Sequence, residues 1–305
     1  MGSSSLSVSV ELADLLADVG SKPGWAPLAR AITVVENSPP WEIRIPESEH
    51  PVHIVGITGP PGAGKSTLTG RLIGAYSDAG ARVAVLAVDP SSPISGGAVL
   101  GDRVRMEGQL DDRPAVFVRS LASRGAHGAL ASSTRNIARL LEATGSFDVI
   151  IIETVGAGQT EVAITGLADT VALVTVPGLG DAVQAIKAGL MEVADLVVVN
   201  MADRPGVAET ARHLRLALGR GLPIMQTVAT DGVGVDELRQ ALDERWQGLV
   251  HGAHVEERRD HKRRAEATLI AQEWLEACAP RDGAVGDMDT AISRILEEAH
   301  TRWPT

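Results

Sequence analysis

The run Gly59-Pro60-Pro61-Gly62-Ala63-Gly64-Lys65-Ser66 constrains this chain more than any other feature. It reads G-x-x-x-x-G-K-S. It lies between an apolar stretch, Val52-His53-Ile54-Val55-Gly56-Ile57-Thr58, and a helical pattern that starts near Thr67. A strand, a glycine loop and a helix in that order build a cradle for phosphate. The glycines let the backbone turn tightly and aim its N–H groups at one concavity. The start of the helix adds unsatisfied N–H groups and the positive end of a dipole. Residues Gly59 to Thr67 therefore read as holding the phosphates of a nucleoside triphosphate. Lys65 is placed to meet the β- and γ-phosphates, and the Ser66 hydroxyl to bind Mg²⁺.

A phosphate cradle of this kind needs a parallel sheet behind it, and the sequence supplies one. Candidate strands fall at 52–58, 82–88, 115–119, 148–153, 170–176, 195–200 and 223–228, with helical patterns between them. Most are near-continuous Val/Ile/Leu runs, as expected of parallel strands buried on both faces. The alternation predicts an α/β fold with a doubly wound, mostly parallel sheet. Residues 6–36 read as helical, with Leu12, Leu15, Leu16 and Val19, then Leu28, Ile32 and Val35, at helical spacing around the Lys22-Pro23-Gly24 break. The polar, Pro-marked stretch 38–51 reads as a linker. Residues 253–279 and 285–303 return to helical patterns. The expected organisation is an N-terminal helical extension and linker over 1–50, a nucleotide-binding domain over 51–250, and a C-terminal helical arm over 251–305. The charged run from Glu256 to Arg264 is expected to be a solvated helix face, with an interaction arm as the alternative.

Composition removes several function classes. The net charge of −11, from 28 basic and 39 acidic residues, argues against nonspecific nucleic-acid binding. Cys278 is the one cysteine, so no disulfide framework exists and a reducing cytoplasm fits. Residues 1–20 lack the basic and apolar regions of a signal peptide. The longest apolar runs, such as Val149-Ile150-Ile151-Ile152, have strand length, which predicts no membrane span. The histidines show no metal spacing, and His127 reads as an ordinary loop residue, with an approach to a nucleotide or a partner as the alternative.

The carboxyl ends of the candidate strands carry the remaining chemistry, because ligands of such sheets bind there. Strand 82–88 ends at Asp89, a candidate for Mg²⁺ or its water shell. The glycine-rich stretch from Gly96 to Arg103 beyond it suits a loop that orders around a γ-phosphate, with Asp102 a second metal candidate and Arg103 or Arg105 a phosphate neutraliser. Strand 148–153 ends in Glu153-Thr154-Val155-Gly156-Ala157-Gly158-Gln159. The Gly156 N–H can bond a γ-phosphate. Glu153 can hold the metal's water or orient the attacking one, and Gln159 is a weaker candidate for that second task. Strand 195–200 ends in Asn200-Met201-Ala202-Asp203. The two carboxylate oxygens of Asp203 match the N1–H and N2–H₂ edge of guanine, which adenine lacks. The usual pattern is N-K-x-D, and Met201 stands where the Lys would be. Its unbranched stem can cover base and ribose, but brings no ammonium. Val228, Ala229 and Thr230 lie where a second loop touches guanine O6 through backbone N–H groups.

Taken together, these segments closely resemble the MeaB/ArgK-type GTPases, a family of the SIMIBI class of P-loop GTPases that serves adenosylcobalamin-dependent methylmalonyl-CoA mutase. The segments GITGPPGAGKST, VAVLAVDPSSPISGGAVLGDRVRM, RSLASRGAHGAL, FDVIIIETVGAGQTEV, VPGLGDAVQAIKAGLMEVADLVVVNMAD and TVATDGVGVDEL follow in order over roughly residues 50–240. The resemblance implies a P-loop core binding GTP/GDP and Mg²⁺, with Ser66, Asp89, Asp102 and Glu153 around the metal. It implies that segment 177–190, with Asp181 and Lys187, is a switch that reads the nucleotide and reaches the partner. It also implies that the C-terminal helices make a homodimer, and that the partner is an adenosylcobalamin-dependent acyl-CoA mutase whose cofactor loading or protection the GTPase gates. Met201 and Val228 depart from the family pattern at the base. Two other readings stay open: an ATP-dependent kinase or transport ATPase, and a noncatalytic nucleotide-binding scaffold.

Overall fold

The computed structural model describes residues 11–19, 24–46, 48, 50–90, 115–123, 127–154, 167–178, 194–218, 221–252, 254–278 and 288–302. Seven parallel strands form one sheet: β1 (His53–Thr58), β2 (Val83–Pro90), β3 (Val116–Ser123), β4 (Val149–Thr154), β5 (Thr170–Thr175), β6 (Leu196–Val199) and β7 (Ile224–Gln226), in the order β3-β2-β4-β1-β5-β6-β7. All seven expected strands are present, and the sheet is doubly wound as anticipated. The helices are α1 over 11–18, α2 (Ala26–Asn37), α3 (Lys65–Asp78), α4 (His127–Ala143), α5 (Val207–Leu218), α6 (Val235–His251), α7 (His254–Cys278) and α8 (Met288–Arg302).

Alternate residues of each strand serve opposite faces. On one face Ile54, Leu86, Ile150, Ile152 and Val171 pack with Leu12 of α1, Leu28, Ile32 and Val35 of α2, and Ile137 and Leu140 of α4. On the other, Val55, Ile57, Val85, Ile151, Val174 and Val198 pack with Leu68, Leu72 and Ile73 of α3 and Leu238 and Leu242 of α6. Burial on both faces is why these strands read as unbroken apolar runs. The N-terminal helices are thus part of the core. Trp25, just before α2, stacks on Phe147 at 5.0 Å and meets Phe117 edge-on at 5.8 Å.

An aspartate precedes each of three strands and ties it to its neighbour. Asp148, Asp169 and Asp195 donate their backbone N–H to the carbonyls of Arg82, Ile54 and Val171. Their carboxylates accept the N–H of those same residues at 2.8, 3.1 and 2.9 Å. The side chain thus extends the ladder one step beyond the strand's own carbonyls.

The amino ends of β1, β5 and β6 are closed by ion pairs from α6 and α7. Arg259 bonds Asp169 at 2.9 Å, Glu142 at 2.7 Å and the Val52 carbonyl at 2.8 Å. Arg258 bonds Asp195 at 2.9 Å, and Arg245 shares that carboxylate. This corrects the expectation of a solvated face for the charged run: Glu256, Glu257, Arg263 and Arg264 are exposed, but Arg258 and Arg259 lock α7 onto the sheet. The stretch read as a linker is also docked in part. It carries a 3₁₀ turn at Pro40–Glu42, and Trp41 meets Trp274 of α7 at 4.9 Å.

Candidate nucleotide site

The loop from Gly59 to Gly64 leaves the carboxyl end of β1, between β4 and β5, and runs straight into α3. That is where the order of strands reverses and a crevice opens. Two glycines are demanded by geometry. A Cβ on Gly59 would strike the carbonyl of Val174 on β5. Gly64 has φ +81°, and a Cβ there would stand 2.5 Å from the Asn200 amide nitrogen. Gly59 and Ala63 are buried, whereas Pro61, Gly62 and Thr67 face solvent.

Lys65 opens α3 and is only 6% exposed. Its ammonium donates to the carbonyls of Gly59 at 2.6 Å and Pro60 at 3.0 Å. The charge is thus held over the loop it must serve. Ser66 donates its hydroxyl to Glu153 Oε1 at 2.6 Å. Glu153 is 1% exposed, at the end of β4 beside β1. A buried carboxylate touching the Ser66 hydroxyl is a hard-oxygen pair. It fits Mg²⁺, which takes one or two protein oxygens and fills its shell with phosphate and water. No cluster of three or more His, Cys, Asp or Glu able to hold a metal occurs among the described residues.

Asn200 directly follows β6 and is 2% exposed. Its amide donates to the Ala63 carbonyl at 2.9 Å, and its carbonyl oxygen accepts from the Thr227 hydroxyl and the Ala229 N–H, both at 3.1 Å. One side chain therefore links the phosphate loop to the loop after β7. This revises the expected base contacts. The Ala229 N–H is taken by Asn200 and the Val228 N–H by the Val233 carbonyl at 2.9 Å. Among the described residues of Thr227–Asp231, only Thr230 has an N–H that donates to no described group. Met201 has φ 54°, and its side chain packs on the core beneath the loop. Asp203 lies in the following turn, exposed, where a ligand can reach it.

Asp89 falls within the end of β2, in register with Ala122. Its side chain, and Asp102, Arg103, Arg105, Gly156, Gln159, Asp181 and Lys187, lie outside the described residues.

A family model for the methylmalonyl-CoA mutase-associated GTPase MeaB matches residues 28–281. The chain belongs to the MeaB family. A Pyrococcus abyssi protein described as a GTPase is 43% identical over 284 residues, covering 88% of this chain and 87% of that protein. The GTPase ArgK of Escherichia coli is 38% identical over 237 residues, 71% of each chain. A mouse mitochondrial protein named methylmalonic aciduria type A homolog is 36% identical over 234 residues, 73% of this chain and 56% of its own length. The crystal structure of a LAO/AO transport system kinase aligns with a TM-score of 0.56 at 25% identity, over 94% of this chain and 91% of that one. This MeaB-family chain is accordingly a GTPase, with a guanine nucleotide as its ligand. No described helix is long and apolar enough to cross a membrane.

Proposed function

We propose that this GTPase gates the loading or protection of the cofactor of an adenosylcobalamin-dependent acyl-CoA mutase. The observation that carries the reading is the family match over residues 28–281, whose description couples the GTPase to methylmalonyl-CoA mutase. A GTPase built for coupling needs its nucleotide contacts mechanically joined, and Asn200 joins them through one buried side chain.

In this reading Lys65 and the N–H groups at the start of α3 hold the phosphates. Ser66 and Glu153, with Asp89 and Asp102, would hold Mg²⁺, which would supply positive charge beside the γ-phosphate. Glu153 also orders water beside the phosphate, and Gly156 donates to it. Asp203 accepts from the guanine edge, and Thr230 donates to its carbonyl. Segment 177–190, with Asp181 and Lys187, is the switch that transmits the nucleotide state. Only its first two residues are described, and Gly178 has φ +82°. Ile292 and Leu296 of α8 are 48% and 54% exposed, one turn apart, and are proposed to pack in a homodimer. A cytoplasmic location completes the reading.

Phosphate release from GTP, measured with and without the cognate mutase, tests it. Hydrolysis should be slow alone and faster with the mutase. An unchanged rate over a range of mutase concentrations would leave a GTPase with some other partner.

A further inference from the structure

The loop after β7 has a support that no motif contains. Arg71 lies on α3, and its Nε donates to the Ala229 carbonyl at 3.0 Å while its Nη2 donates to the Thr230 carbonyl. One guanidinium thus grips two successive carbonyls from the helix that begins at the phosphate loop. The peptide between Ala229 and Thr230 is planar and trans, so fixing its carbonyl toward α3 turns the Thr230 N–H the opposite way. That N–H is the one in the loop that donates to no described group.

The chain also lacks the lysine usual beside the base, since Met201 occupies that position and packs on the core. The ammonium that would brace the base site against the phosphate loop is missing. Arg71, six residues after Lys65, brings a cation to the base loop itself, through the Ala229 and Thr230 carbonyls. We propose that Arg71 is a positioning residue for guanine recognition, which holds the Ala229–Thr230 peptide so that the Thr230 N–H meets the base. The proposal rests on the guanine reading of this site. Arg71 touches no phosphate-loop residue in any described hydrogen bond, so its effect belongs to the base and not to the phosphates.

The test compares the native full-length protein with Arg71→Met and Arg71→Lys, using GDP, ADP and inorganic tripolyphosphate as probes. Arg71→Met should raise the Kd for GDP about tenfold, since two hydrogen bonds from a charged donor are lost. It should narrow the preference for GDP over ADP and leave tripolyphosphate binding unchanged. Arg71→Lys should recover part of the loss, because its ammonium can still reach one carbonyl. Tripolyphosphate binding also reports that the variant is folded. A native preference for GDP that survives Arg71→Met overturns the proposal alone, and so does a parallel loss of GDP and tripolyphosphate. A native protein that binds ADP as well as GDP overturns the guanine reading along with it.

Discussion

At the carboxyl ends of β1, β4 and β6 the strands pass into Lys65, Glu153 and Asn200, whereas at the amino ends of β1, β5 and β6 they meet Asp169, Asp195, Arg245, Arg258 and Arg259. Both ends bury polar groups in the same sheet. At the amino end every carboxylate named faces an arginine of α6 or α7, and the charges cancel within the fold. At the carboxyl end the contacts of Lys65 and Glu153 include backbone carbonyls and a hydroxyl, which a phosphate or a metal can replace. A buried charge satisfied by another charge fixes structure. A contact with a carbonyl or hydroxyl can be given up to a ligand without stranding a second buried charge.

The largest effect should come from breaking the open end. Lys65→Ala should lower GTP hydrolysis by ~10³ or more and severely weaken triphosphate binding, because the phosphates lose their close cation. Its melting temperature should stay near native. Near-normal turnover, read by phosphate release, would remove the phosphate-loop assignment. Breaking the closed end should do the reverse. Arg259→Met strands Asp169 and Glu142 without their cation and should cost about 3–5 kcal/mol of stability by chemical denaturation. The protein that remains folded should bind GDP with native affinity. Loss of GDP affinity equal to that of Lys65→Ala would show that the two ends are not separable.

A smaller effect is expected at the base. Asp203→Asn should weaken GTP by about 1–3 kcal/mol in a titration, since one acceptor oxygen becomes a donor facing donors. An unchanged Kd would move guanine recognition elsewhere. The mildest test concerns His53, buried at the closed end, stacked on Trp246 at 4.9 Å and bonded through Nε2 to the Thr170 hydroxyl at 2.9 Å. Burial pushes its pKa down to about 4, with the carboxylates of Asp169 and Asp195 opposing and Arg259 and Arg245 adding to the shift. The unfolded chain therefore binds a proton that the fold refuses. Stability should be intact above the ordinary histidine value near 6.5 and fall as pH drops from there toward 4, by up to about 1.4 kcal/mol per pH unit. His53→Phe should keep the stacking and flatten that slope. An equal slope in both proteins would assign the acid sensitivity to other groups.

The open end was largely legible in the sequence, because phosphate chemistry dictates residue types at fixed spacing. Gly59, Gly64, Lys65, Ser66 and Glu153 announced themselves, and each sits at the mouth of β1 or β4. The roles of Asn200 and the loop N–H groups were not legible: spacing places Asn200 at a strand end, but only tertiary contact turns it inward to bridge two loops. Arg71 gave no signal either, since an arginine on a helix is ordinary until its partners are known. The strands were readable from their Val/Ile/Leu runs, and the helices at 11–18 and Ala26–Asn37 from their spacing. The charged run from Glu256 to Arg264 reads as solvated because the ion pairs of Arg258 and Arg259, to residues 63 to 117 positions away, leave no local pattern. One trace existed: an aspartate directly before the apolar runs at 149, 170 and 196, which marks where a side chain extends the ladder.

Displacement of a fluorescent GDP analogue by GTP and by ATP, on the native protein with Mg²⁺, tests most directly the claim that the carboxyl end of this sheet is a guanine site. A site that reads base hydrogen bonds rejects a ligand lacking them strongly, so GTP should displace the analogue at a concentration at least about a hundredfold below that of ATP. Equal displacement by the two nucleotides would contradict the account.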